Sequence, residues 1–298
     1  MISQQTEKDG AASGGAVPSF LLNALGLLPF AALLLLFLLV PAVGVFVEAL
    51  HDSDGTIGFG SMREAVTGQN LDAFVFSFGF SLGAATVGSL GGLVVAYAIA
   101  VSRRPKWLRG FAMSFSGVTA NMGGVLLAFA FLSLLGRQGV LTKILNTFGW
   151  DLYAGDFSLG DTVGLIVVYS YFNIPLMVLV SLAAIENMKS TWREACWSLG
   201  GNSVTYWRRV GLPVLSPTII SGFLLLFANS FSAYATARAL TDNSKIVPLR
   251  IGFFLSGDIK TGRDSLGYAL AAWMIIVMAV CIGLYWVART RAERWQRG

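Results

Sequence analysis

Six stretches of this sequence each run for more than twenty residues without a single Asp, Glu, Lys or Arg: Leu21 to Val47, Phe74 to Val101, Phe111 to Gly136, Thr162 to Ile185, Val210 to Ala237 and Ser265 to Ala288. A bilayer core of about 30 Å is crossed by roughly 20 helical residues, because in lipid every backbone N–H and C=O must find its partner within the segment. The chain therefore reads as an all-α integral membrane protein with six transmembrane helices. Charged residues make up only 12% and mean hydropathy is +0.68, whereas ordinary soluble domains carry about 25% charged residues. In the fifth run, Gly211, Pro213 and Pro217 move the expected membrane entry to about Ser216.

Charge between the runs separates by side. Glu48 to Asp72 holds five acids and one base, whereas Ser102 to Gly110 holds Arg103, Arg104, Lys106 and Arg109 with no acid. Lys8, the 186–209 loop and the C-terminal tail join the second group, so thirteen basic residues fall on one side, against Arg63, Arg137, Lys143, Lys245, Arg250, Lys260 and Arg263 on the other, with Arg238 toward the same outer end. Basic loops stay cytoplasmic, and both termini are predicted there. Lys245, Arg250, Lys260 and Arg263 in the last external loop run against that pattern, although Asp242, Asp258 and Asp264 accompany them. The net charge of +5 is a set of topology signals, and no nucleic-acid partner is expected. One His and two Cys are too few for the common zinc or iron–sulfur signatures. Cys196 falls in a loop and Cys281 in the last run, which argues against a disulfide.

Residues 1–19 read as a disordered cytoplasmic tail, 20–70 as the first transmembrane helix and outer loop, and 291–298 as a basic cytoplasmic tail. Pro29 and Pro41 either kink the first helix or lie near its ends. Gly79, Gly83, Gly88 and Gly92 in the second run mark either a close helix interface or simple glycine richness. The spacing of Val140, Leu141, Ile144, Leu145 and Phe148 predicts an amphipathic helix on the outer surface within Arg137 to Asp161. Thr241 to Asp264 reads as a further outer surface.

The loop after the fourth run carries more pattern than a linker needs. Thr191 and Glu194 have the spacing of a capping box; Trp192, Ala195, Cys196 and Leu199 recur at i, i+3, i+4 and i+7; Gly200 and Gly201 stop the helix, at a turn with no room for a large side chain. Asn202 or Ser203 can cap a second short helix that Pro213 ends. Such a helix either lies on lipid, with Trp192, Trp197 and Trp207 as anchors, or docks on a partner.

Glu194, Ala195, Cys196, then Gly200 after three residues, Val210 after nine more, and Leu212-Pro213 after one, reproduce the pattern Glu-Ala-Ala, three residues, Gly, nine residues, Ile, one residue, Leu-Pro. Cys196 replaces the second Ala and Val210 the Ile. The segment resembles the EAA loop of the permeases of bacterial binding-protein-dependent ABC importers, with the type I fold. The architectural resemblance covers residues 71–290, with the coupling loop at 186–215. It implies a multi-pass protein of the bacterial cytoplasmic membrane that works with two cytoplasmic ATPase subunits, a second permease subunit, an extracytoplasmic binding protein and membrane lipid. ATP-Mg would be bound by the ATPases and no cofactor by this chain, which has no Walker A sequence. Trp192, Glu194, Ala195, Cys196, Leu199, Gly200, Leu212 and Pro213 are the residues the resemblance places at the ATPase joint.

Polar side chains within the runs either line a passage or bridge helices. Those singled out are Asn121, Tyr169, Tyr171, Asn173, and the cluster Asn229, Ser230, Ser232, Tyr234 and Thr236. Asn121, Tyr169, Asn173, Asn229, Ser232, Tyr234 and Thr236 are taken as candidates for the passage. Asn229, Ser232, Ala233 and Thr236 would share one face of a continuous helix. The run from Asn229 to Thr236 looks like permeases for polyamines, aminoethylphosphonate, thiamine or ferric iron, with a polyamine as the leading solute. An intramembrane enzyme would need catalytic groups at membrane depth, and the lone His51 lies in a loop. A secondary transporter or channel is disfavoured by the lack of repeats and of intramembrane ionisable groups.

Overall fold

In a computed structural model of the chain, which describes residues 28–52, 56–101, 106–155, 157–241, 245–256 and 263–297, the apolar runs become helices. The tail expected over 1–19 lies outside the described residues. By contact the chain divides into two units, residues 1–47 and 48–298. Helix α1 (Leu28–Ala49) begins in the first unit, and its 22 residues, with Glu48 near the end as their one charge, are apolar and long enough to cross a bilayer. Pro29 stands at its start. Pro41 stands inside it, two residues after a π-turn at Leu35–Leu39 that closes with Val40 N–H donating to Leu35 O.

The larger unit contains α2 (Gly60–Glu64), α3 (Gly68–Val101), α4 (Lys106–Asn121), α5 (Gly124–Leu135), α6 (Val140–Thr147), α7 (Thr162–Glu186), α8 (Ser190–Ser198), α9 (Ser203–Ser232), α10 (Ala235–Leu240), α11 (Val247–Leu255) and α12 (Asp264–Arg297). No strand occurs among the described residues; a single bridge joins His51 to Ile57. Among the described residues, six stretches are long and apolar enough to cross a membrane, at Leu28–Ala49, Gly68–Val101, Gly124–Thr147, Thr162–Glu186, Ser203–Ser232 and Asp264–Val287. Alongside α7 lie α4 and α5: Arg109 pairs with Glu186 at one end of α7 at 2.5 Å, and Leu127 of α5 shares a core cluster with Leu165 near the other. The expected basic tail is the end of α12.

The core forms where α3 lies against α7. Atoms of Ile166, Asn173 and Met177 sit 2.7, 2.5 and 2.4 Å from where a Cβ would stand on Gly83, Gly88 and Gly92. These glycines let two backbones approach as no larger residue would, so the glycine row is a helix interface. Gly79 has open space around it and takes no part. Phe80 and Tyr169 meet edge to face at 5.5 Å within the same core.

Three expectations are corrected. The run from Phe111 to Gly136 is two helices, because Gly123 is extended and Gly124 takes φ of +77°, a left-handed turn that glycine adopts without a Cβ clash. The run from Val210 to Ala237 begins earlier, at Ser203, and breaks at Ala233–Tyr234. Thr241 to Asp264 is not simply an outer surface: Val247, Pro248 and Leu249 of α11 are buried, and Val247 N–H donates to Ser77 Oγ at 2.9 Å. Arg250 is half-buried there, and that burial pushes its guanidinium below its ordinary value. Lys260 lies outside the described residues.

Candidate functional site

Two places collect the residues that the sequence singles out. The first is the connection from α7 to α9. Helix α8 ends in a Schellman turn in which Gly200 N–H donates to Trp197 O and Gly201 N–H to Cys196 O, both at 2.9 Å. Gly200 takes φ of +76° with nothing within 4 Å of a built Cβ, so its backbone angle, and not the crowding expected from the sequence, demands glycine. Gly201 is the crowded one, its Cβ position lying 2.6 Å from Cys196 Sγ. Asn202 caps α9 by accepting from Thr205 N–H and Thr205 Oγ1 at 2.8 and 2.9 Å. The capping box does not form, because α8 starts at Ser190 with Lys189 as its cap residue, and Thr191 falls inside the first turn.

No residue of α8 is buried. Trp192, Ala195, Cys196 and Leu199 face Thr205, Arg209, Val210 and Val214 across an open groove of about 440 Å³, and Leu199 is 89% exposed. Leu212 and Pro213 are exposed on α9 just beyond it. Pro213 does not end the helix as expected. A π-turn at Trp207–Gly211 precedes it, closed by Leu212 N–H donating to Trp207 O. Pro41 stands at the same offset from its own π-turn, and in both places a proline that lacks an amide donor follows a turn whose hydrogen bonds have already shifted register.

The second place is where two helices break at one level. Tyr169 Oη donates at 3.2 Å to Ala233 O, a carbonyl that the end of α9 leaves without a helical partner. Across the gap, Gly124 N–H donates to Thr236 Oγ1 at 2.9 Å and the same hydroxyl donates to Gly124 O at 3.3 Å. One threonine thus serves both backbone groups of the residue that opens α5. Tyr234 covers the second break from outside, its ring 2.9 Å from a built Cβ on Gly252 of α11. Broken helices are tolerated at membrane depth only where protein or a water-filled cavity meets the freed groups.

This arrangement sorts the seven polar candidates. Tyr169, Asn173 and Thr236 are buried within the chain, and Asn173 Nδ2 donates to Ser230 Oγ at 2.9 Å to join α7 to α9. Asn121, Asn229, Ser232 and Tyr234 are exposed, Asn121 with its amide on Gly117 O at 2.8 Å. The single face expected for Asn229, Ser232, Ala233 and Thr236 is not formed, because the helix breaks between Ser232 and Thr236. Gly124 was not singled out in the sequence, although a glycine doublet after Asn121 inside an apolar run is the signal for such a break.

Residues 88–296 match the family described as binding-protein-dependent transport system inner membrane component. The probable sulfate transport system permease protein of Chlorella vulgaris is 21% identical over 219 residues, 74% of this chain and 79% of that protein. The spermidine/putrescine transport system permease protein PotB of Haemophilus influenzae is 29% identical over 161 residues, 54% of this chain and 55% of that one. The fold is similar to that of a bacterial ABC transporter involved in the import of the acidic polysaccharide alginate, with a TM-score of 0.67 at 19% identity over 93% of this chain and 96% of that one.

Proposed function

We propose that this chain, which belongs to the family of binding-protein-dependent transport system inner membrane components, forms half of the solute pathway of an ATP-driven importer and is driven through α8. The observation that carries this reading is α8 itself, a helix stopped by a Schellman turn and with no buried residue. A helix ended that sharply and left unpacked is built for a partner. In this reading α8 seats in a cytoplasmic ATPase, one ATPase serves each of two related permeases, and both termini are cytoplasmic. Trp192, Ala195, Cys196 and Leu199 form the seat, and Gly201 holds the turn against it.

Asn121, Asn229, Ser232 and Tyr234, exposed beside the two helix breaks, face the passage. Tyr169, Asn173 and Thr236 hold the breaks in place from behind. The solute proposed first is a polyamine, supported by the similarity to a spermidine/putrescine permease. The longer match to a sulfate permease supports an oxyanion as the second reading.

The test is ATP hydrolysis by the reconstituted importer, stimulated by its binding protein loaded with spermidine or with sulfate. Gly200→Val places a β-branched residue at positive φ, at about 1–3 kcal/mol of strain, and Glu194→Lys reverses an exposed charge on α8. Both variants are expected to insert normally and to lose either the ATPase subunit or its stimulation. Wild-type co-purification and stimulation in both would remove α8 from the joint, and stimulation by sulfate alone would replace the polyamine.

A further inference from the structure

Three cavities on the flank of the bundle join end to end. The first, about 410 Å³, lies where α3, α7, α8 and α9 meet, and Lys189, Arg193, Ser190 and Tyr206 give it a polar wall. It shares Tyr97, Ile185 and Trp207 with an apolar cavity of about 350 Å³ between α3 and α9. That cavity shares Leu93 and Ile219 with a third, of about 600 Å³, which reaches Thr86 and is closed on one side by α12. The result is one groove, basic at one end and apolar along the rest.

Its charge and length both point to the occupant. Among the described residues that line the polar end, Lys189 and Arg193 are the cations and Glu186 is the acid, already paired with Arg109 at 2.5 Å. The end thus presents uncompensated positive charge, with Tyr97 and Trp207 in edge-to-face contact at 5.3 Å at the junction with the apolar part. Amphipathic aromatic rings at such a junction mark the level of the lipid headgroups. From Val101 to Thr86 along α3 the groove spans 15 residues, about 22 Å at 1.5 Å per residue. One leaflet, headgroup included, is half of a bilayer of about 40–45 Å.

We propose that this groove is a binding site for one anionic phospholipid, its phosphodiester held by Lys189 and Arg193 and its acyl chains lying along Leu93, Leu215, Ile219 and Phe223. Arg193 stands on α8 with its guanidinium 5.3 Å over the Trp197 ring, so the headgroup bridges the joint helix to the ends of α3 and α9. An apolar groove alone would take any acyl chain or a neighbouring helix. The basic end selects for a negatively charged lipid.

The experiment uses the full importer in nanodiscs of phosphatidylcholine doped with phosphatidylglycerol, either lipid carrying brominated acyl chains. Bromine quenches nearby indoles, and the contribution of Trp207 is isolated by difference from Trp207→Phe. Brominated phosphatidylglycerol is expected to quench Trp207 in preference to brominated phosphatidylcholine. Lys189→Glu/Arg193→Glu should reduce that preference by at least about 30-fold, the loss of two attractive surface charges at about 1 kcal/mol each before the added repulsion of two acids. Arg208→Glu/Arg209→Glu, the same charge change outside this groove, should leave it intact, and Val94→Phe, at an exposed position lining the apolar part, should weaken quenching by filling it. An undiminished preference in Lys189→Glu/Arg193→Glu would overturn the site, as would an equal loss in Arg208→Glu/Arg209→Glu. Competition by inorganic phosphate with quenching in Val94→Phe unaffected would make it a site for a free anion. Absence of quenching by either lipid, with Val94→Cys cross-linking to the second permease, would make it a protein interface.

Discussion

Thr236 shows how a residue can look like a passage residue and be part of the frame. Its hydroxyl is buried, accepts from Gly124 N–H and donates to Gly124 O. Thr236→Val keeps the shape and strands both backbone groups, and a buried group left unsatisfied costs about 1–3 kcal/mol. The variant is expected to unfold at lower temperature in detergent. Asn229→Leu, at an exposed position, should keep the wild-type melting temperature and lower solute uptake. Equal melting of Thr236→Val and wild type would dissolve the staple between the breaks, and normal uptake by Asn229→Leu would move the passage elsewhere. Gly200 and Gly201 make a second such pair. The sequence marks both as a stop, and only the backbone shows that one is required by its φ and the other by the Cys196 sulfur beside it.

At the scale of elements, the α3–α7 interface yields the strongest expectation for stability. Gly92→Leu would place a Cβ 2.4 Å from Met177 Cβ and 2.7 Å from Ile174 O, in a core where neither helix can step back. Overpacking costs typically about 1–3 kcal/mol, so this variant should express poorly or melt early, and Gly79→Leu, with open space around it, should not. Equal stability of the two would show that the glycine row is composition only. The runs themselves and the Gly200–Gly201 stop of α8 were legible in the sequence, because apolar length and a glycine doublet after an amphipathic turn are local properties. The spacing of the glycine row, by contrast, reads equally as interface or as composition, and the capping box expected from Thr191 and Glu194 does not form because α8 starts at Ser190. The helix breaks were not legible, since charge-free runs look alike whether or not they are continuous. What interrupts them is a positive φ at Gly124 and partners more than sixty positions away, Tyr169 for Ala233 and Thr236 for Gly124. The π-turns escaped for the opposite reason. Pro213 reads as a stop, and nothing in its neighbours announces that Trp207–Gly211 will widen and carry the helix through it.

For the larger unit as a whole, contacts assign the loops to two ends. Ser61 Oγ donates to Ser265 Oγ at 3.1 Å, and Trp273 Nε1 to Met62 O at 3.0 Å, so the segment before α3 meets the start of α12. Arg263 pairs with Glu64 there, so one of the basic residues that ran against the charge pattern is neutralised where it stands. Gly160 packs against Thr241, bringing the loop before α7 to the loop before α11 at the same end. Arg109, Glu186 and α8 lie at the opposite end, with Lys189, Arg193, Arg208 and Arg209. Basic loops are retained in the cytoplasm, so the α8 end should be inside. Both native thiols, the half-buried Cys196 and the buried Cys281, are first replaced by serine. Single cysteines are then placed at exposed positions, Trp150→Cys at one end and Ser198→Cys at the other. In intact cells an impermeant maleimide is expected to label Trp150→Cys, and Ser198→Cys only after the membrane is opened. Labelling of Ser198→Cys in intact cells would invert the molecule and put α8 out of reach of any cytoplasmic ATPase.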